Sequence, residues 1–280
     1  MHKPTHGKYE RRSRLSVPLL LLCLLFAGIF LFSGYKVITI WLEYRKGEQT
    51  YTQLQQYIQL PTQAVIQPTE DVPASNIGSS SKPADSTAIT PETVPFVSPV
   101  DFDALWNINP DVVGWINIPG TNVNYPIVQG ESNSTYLYHL ITGEYNHSGS
   151  IFMDYRNTPD YTDQNTVIYG HHMGDGSMFA DVVKYKRQSY YDEHPIGYLF
   201  TPEKTYTLTF FTAYVTDIED DAWQMTFSSN EEYAEWLQDS AARSKLHAGI
   251  LPSLNDRLLT FSTCTYEYDD ARFVLVAIMR

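Results

Sequence analysis

Cysteine is nearly absent. Cys23 and Cys264 are the only two among 280 residues, so a scaffold stapled by several disulfides is excluded. Positive charge is scarce as well. Nineteen Lys and Arg stand against 32 Asp and Glu, a formal net charge of -13. Nucleic-acid binding, which needs a basic face, is not expected. No internal repeat is visible. One long apolar stretch, Ser16 to Gly34, lacks charge of either sign, and that absence decides how the rest is read.

The uncharged stretch approaches the roughly 20 residues that a helix needs to cross a bilayer. It is apolar on every face, unlike the core helix of a soluble domain. Tyr35 and Trp41 come next, at the depth where aromatic residues meet the membrane interface. A cleaved signal peptide would have a shorter apolar core and a small-x-small site after it; no Ala-x-Ala follows here. The stretch reads as an uncleaved signal anchor. Lys3, Lys8, Arg11, Arg12 and Arg14 form a basic head before it, and that head is expected to stay inside the cell. The expected location is the cell membrane, single-pass, with everything after the anchor extracytoplasmic. Cys23 then lies in the membrane, and Cys264 is the one exported thiol. It has no intramolecular partner, so it is either an intermolecular link or a reactive group.

Five segments are expected. Residues 1–15 are the cytoplasmic basic head and 16–34 the transmembrane anchor. Residues 35–60 form a juxtamembrane helix, with a break near Gly47. Residues 61–100 form a Pro/Ser/Thr-rich linker whose prolines recur from Pro61 to Pro99 without an apolar period; its expected role is reach. Residues 101–280 form the catalytic domain.

Within that domain a short helix is predicted over Asp101–Trp106. Eight short strands are predicted near 113–118, 123–128, 150–154, 166–170, 197–201, 206–216, 257–263 and 273–279, with turn residues such as Pro119-Gly120 and Pro202-Glu203 between them. Two helices interrupt them, near Ser177–Lys186 and near Asn230–Ser244. Ser229 and Glu232 give the second a capping box. The fold class is mostly β, a closed barrel or sandwich with short helices.

The last two strands form a hairpin. Cys264 ends one and Arg272 begins the next, so thiol and guanidinium meet across the pair. A permanent cation beside sulfur favours the nucleophilic thiolate. A cysteine nucleophile needs a proton-transfer partner, usually His, and a group to stabilise an oxyanion. Of eight histidines, His139, His147, His194 and His247 sit in polar loop contexts and read as surface residues. His171-His172 ends a strand, at Thr166-Val167-Ile168-Tyr169-Gly170, and leads into a Gly-rich loop, where functional side chains are commonly mounted. A metal is the rival reading of His171-His172, but no Cys or Glu cluster completes a ligand set. Neither metal nor cofactor is expected.

Thr260-Phe261-Ser262-Thr263-Cys264 resembles the Thr-Leu-x-Thr-Cys signature of sortases, with Phe in place of Leu. Arg272 and the Gly170-His171 strand end complete that family's Cys, His and Arg set. Class B sortases are the most similar, through Asn109-Pro110-Asp111-Val112-Val113-Gly114-Trp115, Asn124-Tyr125-Pro126-Ile127-Val128-Gln129 and Tyr169-Gly170-His171-His172-Met173. The long stretch before the Cys264 strand is also like class B. No Asp-Pro-aromatic lid segment precedes the domain, which points away from class C pilin polymerases.

The resemblance implies an eight-stranded sortase β-barrel and a cysteine transpeptidase (thiol protease class, 3.4.22). Cys264 would attack the Thr carbonyl of a C-terminal sorting motif, of the Asn-Pro-x-Thr type that class B enzymes favour. His171, rather than His172, would shuttle the proton, and Arg272 would stabilise the oxyanion. Ser262, Thr263, Asn133 and Leu137 would line the substrate groove. Some class B members carry an acidic residue directly after the cysteine; here Thr265 stands there. The implied partners are surface proteins bearing the motif and an amine acceptor, from cell-wall precursor or pilin. Two other functions stay open on the residues alone. One is a surface cysteine protease that ends in hydrolysis. The other is a non-catalytic envelope-binding β domain, which predicts an unreactive Cys264.

Overall fold

The computed structural model describes residues 17–60 and 96–280. The basic head and most of the predicted linker lie outside the described residues. Helix α1 spans Val17–Leu54 and ends in a 3-10 turn at Gln55–Tyr57. Its N-terminal part is exposed on every face and reaches a mean hydropathy of 2.5 over its most apolar window. It is long and apolar enough to cross a bilayer. The expected break at Gly47 does not occur. A single glycine costs a helix only about 1 kcal/mol, and this one is buried close to Ser148 Oγ.

The chain divides into two compact units, 1–46 and 47–280. The second begins well before residue 101, because Tyr51 and Leu54 are buried within it. Both ends of the predicted linker are fixed there. Ile58 bridges Val100, Gln59 N donates to Pro99 O (2.8 Å), and Asp101 N donates to Tyr57 O (2.8 Å). The residues on either side of the predicted linker are therefore hydrogen-bonded to each other, while residues 61–95, on which the expected spacer role rests, lie outside the described residues.

The barrel strands are β1 (Val112–Asn117), β2 (Asn124–Val128), β3 (Ile151–Met153), β4 (Asn165–Tyr169), β5 (Ile196–Phe200), β6 (Thr205–Thr216), β7 (Arg257–Cys264) and β8 (Arg272–Met279). They close in the order β1-β2-β3-β4-β7-β8-β6-β5. The predicted eight strands are all present, and the barrel is closed. Alternation divides each strand between an inner and an outer face. Phe261 of β7 meets Phe179 and Phe210 in one aromatic cluster of the core. Leu258 of β7 and Val274, Val276 and Ile278 of β8 instead pack under Tyr233, Trp236 and Leu237 of helix α4, Asn230–Ala242. Ser229 caps α4 by accepting from Glu232 N.

The first short helix, α2, runs Phe102–Ile108 and is capped by Asp101. The helix predicted near Ser177–Lys186 is only half right. A 3-10 helix occupies Val182–Lys186, and α3 (Gln188–Glu193) comes after it. Before Val182 the chain is turned. Asp175 accepts from Ser177 N, and Gly176 and Met178 both have positive φ (88 and 55), which a right-handed helix does not allow.

Candidate active site

Two registers fix the centre of the site. Strand β8 runs antiparallel to β7 with Cys264 directly opposite Arg272. Strand β4 runs parallel to β7 on its other edge, with Tyr169 beside Ser262. Gly170 N donates to Ser262 O (3.3 Å) and extends that pairing. The strand pairing ends there, and the chain just past it carries His171 to the pocket that Cys264 borders. The central strand carries the thiol, and the segments on its two sides bring the imidazole and the guanidinium to the same pocket.

A single pocket collects these groups. Its lining includes Cys264, His171, Arg272, Ser262, Thr263, Asn133 and Leu137, together with Phe152, Tyr169 and Gly170. All seven residues singled out in the sequence thus border one cavity, and His172 does not. The ring of His172 lies against Tyr266 (5.3 Å between centroids), and its Nδ1 is buried without a partner. Among the described residues no cluster of His, Cys, Asp and Glu could hold a metal.

Each wall is held differently. Cys264 and Arg272 are half-buried at the loop end of the hairpin. Arg272 Nη1 donates to Ala271 O (3.1 Å), and among the described residues the guanidinium has no carboxylate partner. Arg156 and Arg243 contrast with it, each paired to aspartates. The loop after Cys264 is pinned by Lys186, which donates to Thr265 Oγ1 (2.7 Å) and pairs with Glu267. Partial burial pushes the Glu267 carboxyl up, but hydrogen bonds from Lys186 and Thr265 outweigh it and hold it below its usual range. Glu267 of this loop is therefore tied to Lys186.

On the opposite wall, His171 Nε2 lies 2.6 Å from Leu137 O. A carbonyl only accepts, so Nε2 carries the proton and Nδ1 is left as the ring's acceptor. The ring of Tyr138 lies over the imidazole at 5.5 Å. Gly170 allows the close turn into His171. A Cβ there would fall 2.5 Å from Ile151 Cδ1 and 2.8 Å from the Phe179 ring.

The groove floor is organised by Asp154, whose side chain is fully buried. Its Oδ2 accepts from Asn133 Nδ2 (2.9 Å), Tyr169 OH (2.8 Å) and Arg156 Nη2 (2.9 Å). Burial pushes this carboxyl up, yet those donors prevail and hold it below the usual carboxylate range. The same burial and the neighbouring carboxylate drive the Tyr169 phenol well up, so it stays a donor. On the outer face of β7, Ser262 Oγ accepts from Trp223 Nε1 (3.1 Å). Sequence reasoning missed Phe152, Tyr169, Asp154 and Trp223. Tyr169 was signalled by its place before Gly170-His171; Asp154 and Trp223 had no local signal.

Residues 116–280 match the family model described as the Sortase domain. Sortase B of Staphylococcus aureus is 31% identical over 256 residues, covering 91% of this chain and 93% of the relative. Two solved structures are similar, the Staphylococcus aureus sortase B–substrate complex and a Sortase B complexed with triglycine. Each is 36% identical with a TM-score of 0.61 over 64% of this chain, covering 84% and 85% of those chains.

Proposed function

The chain belongs to the sortase family, and from that membership we propose that it is a membrane-anchored class B cysteine transpeptidase acting through Cys264, His171 and Arg272. The supporting observation is that β7, paired with β8 and β4 on its two sides, gathers thiol, guanidinium and imidazole around one pocket. The substrate is a surface protein with a C-terminal sorting motif, and the acceptor is an amine of the cell wall or a pilin. The relatives solved with substrate and with triglycine favour that pairing. The apolar α1 is the anchor, with the basic head inside and the barrel outside.

Cys264 passes its thiol proton to His171 Nδ1, and its Sγ attacks the motif's Thr carbonyl carbon to form a tetrahedral adduct. Arg272, free of a carboxylate, donates to the developing oxyanion. Collapse breaks the peptide C–N bond, and His171 delivers a proton from Nδ1 to the departing amine. Nε2 keeps its hydrogen bond to Leu137 O throughout. The incoming amine then attacks the thioester carbon, gives its proton to Nδ1, and displaces Sγ. Asn133, Leu137, Ser262 and Thr263 border the groove that receives the motif.

Mass spectrometry of the protein mixed with an Asn-Pro-x-Thr-type peptide should show an acyl adduct at Cys264, and added triglycine should convert it to ligated peptide. Release of free acid alone, with acceptor in excess, would favour a hydrolytic protease. No adduct at all would favour a binding domain.

A further inference from the structure

The imidazole of His171 is held by a carbonyl, and that carbonyl is held by a segment reaching back to the N-terminal helix. Gly149 packs directly on Leu137. It has positive φ (56), and a Cβ there would fall 2.4 Å from Leu137 O, the acceptor of His171 Nε2. Tyr51 of α1 is buried, and its hydroxyl donates to Gly149 O (2.6 Å). It also lies 2.9 Å from Ser150 Oγ, which donates to His139 O (2.8 Å), two residues beyond Leu137. One hydroxyl therefore clasps both sides of the loop that presents the Leu137 carbonyl.

The ring of the same tyrosine reaches the other side of His171. It meets Tyr125 edge-on at 5.3 Å and 87°. Tyr125 OH accepts from Met178 N (3.0 Å). Met178 closes the loop after His171 by bridging His172, and Phe179 N donates to His171 O (2.9 Å). Two paths, one to the ring nitrogen and one to the backbone of His171, start from a single side chain.

We propose that Tyr51, on the helix that also carries the apolar membrane-type segment, is a positioning residue for the proton-transfer histidine His171. The N-terminal helix is then part of the catalytic apparatus as well as an anchor. The proposal rests on the transpeptidase reading only for its kinetic consequence. Tyr51 touches neither Cys264 nor the groove lining, so its loss should disturb proton transfer and leave thiol and motif binding unchanged.

The test uses the full chain in detergent micelles, with Tyr51→Phe, which removes both contacts of the hydroxyl, and Ser150→Ala, which removes the link on to His139 O; both leave the aromatic packing in place. Nitrogen-15 NMR of labelled histidines, with His171 assigned by its loss in His171→Ala, reports the Nε2–H bond without any need for turnover. Expected for both variants are a shifted His171 Nε2 signal and a kcat about 10-fold lower, since small misplacement of a reacting group costs up to about 100-fold. KM and the alkylation rate of Cys264 should stay within about twofold. Wild-type His171 signals in Tyr51→Phe would overturn the proposal. So would a parallel loss of Cys264 alkylation, which would mark general destabilisation. A wild-type chain that gives no ligated product would sink the transpeptidase reading alone, and the His171 signals would still decide the role of Tyr51.

Discussion

The two walls of the pocket are built on opposite principles. Cys264 and Arg272 belong to one hairpin, and ladder hydrogen bonds between neighbouring strands set their distance. His171 depends on partners far away in sequence. Its Nε2 acceptor lies 34 residues off, and the Tyr51 contact that holds the loop beneath it spans 98. A local wall is fixed as soon as the hairpin forms. A distributed wall is fixed only when the whole compact unit has closed, so it is the wall through which distant changes reach the chemistry.

Substitutions within the local wall should have the largest effects. Cys264→Ala should lower transpeptidation by about 10⁴-fold or more and abolish the acyl adduct, because no other group supplies the nucleophile. Steady-state ligation assays with an intact-mass control would check this. Arg272→Lys keeps charge but replaces a planar two-donor fork by a flexible point donor. The rate should fall at least about 100-fold, the lower range for losing one oxyanion donor, while the melting curve stays unchanged. Near-wild-type turnover would remove Arg272 from the site.

The same contrast between walls governs what was legible in the sequence. The Cys264–Arg272 pairing comes from two adjacent strands and a polar connection, and His171 from a strand ending in Gly-His. The parallel pairing of β4 with β7, which sets His171 beside Cys264, joins segments separated by β5, β6 and α4. No local pattern announces it; the family resemblance supplied that contact. Asp154 was unreadable for the same reason, since Asn133 and Tyr169 reach it only after folding. For the Pro-rich 61–100 segment, composition speaks to stiffness and polarity but not to whether the residues flanking it meet. The Ile58–Val100 bridge is a tertiary fact.

A truncation sharpens the distributed side. A domain starting at residue 96 lacks Tyr51 and Leu54, both 4% exposed. Burying such a side chain is worth about 1.5–3 kcal/mol, so this form should melt well below one starting at Gly47. Equal melting temperatures would show that the N-terminal helix contributes nothing to the unit.

Acid provides a milder probe. The carboxyl of Asp154 is depressed in the folded state, so its folded pKa lies below its unfolded value of about 4. Its stabilisation is fully present above that value and is lost as pH falls through the folded one. Asp154→Asn turns an acceptor of three donors into a partial donor and should cost on the order of 1–3 kcal/mol at neutral pH. Denaturant midpoints measured from pH 6 down to 2 should converge for the two proteins at the acid end. A constant gap would place the effect elsewhere.

The smallest change expected is at His172, and it separates the two adjacent histidines. His172 follows His171 directly, yet its ring sits outside the pocket lining, against the exposed Tyr266, across from the Met178 bridge. Its Nδ1 is buried without a hydrogen-bond partner, a cost that removal of the ring relieves. Loss of the contact with Tyr266 works in the opposite direction, at about 0.5–1.5 kcal/mol for a favourable ring pair. The two terms nearly cancel, so His172→Ala should change stability by roughly 1 kcal/mol or less. Turnover should stay within about threefold, because neither the Nε2–Leu137 bond nor the β4–β7 register passes through this ring. His171→Ala, one residue away, removes the proton carrier and should silence ligation. Parallel kinetics of the two alanine variants settle which imidazole works. If His172→Ala were the silent one, the shared pocket of His171 and Cys264 would not be what matters, and the proton path drawn from it would fail.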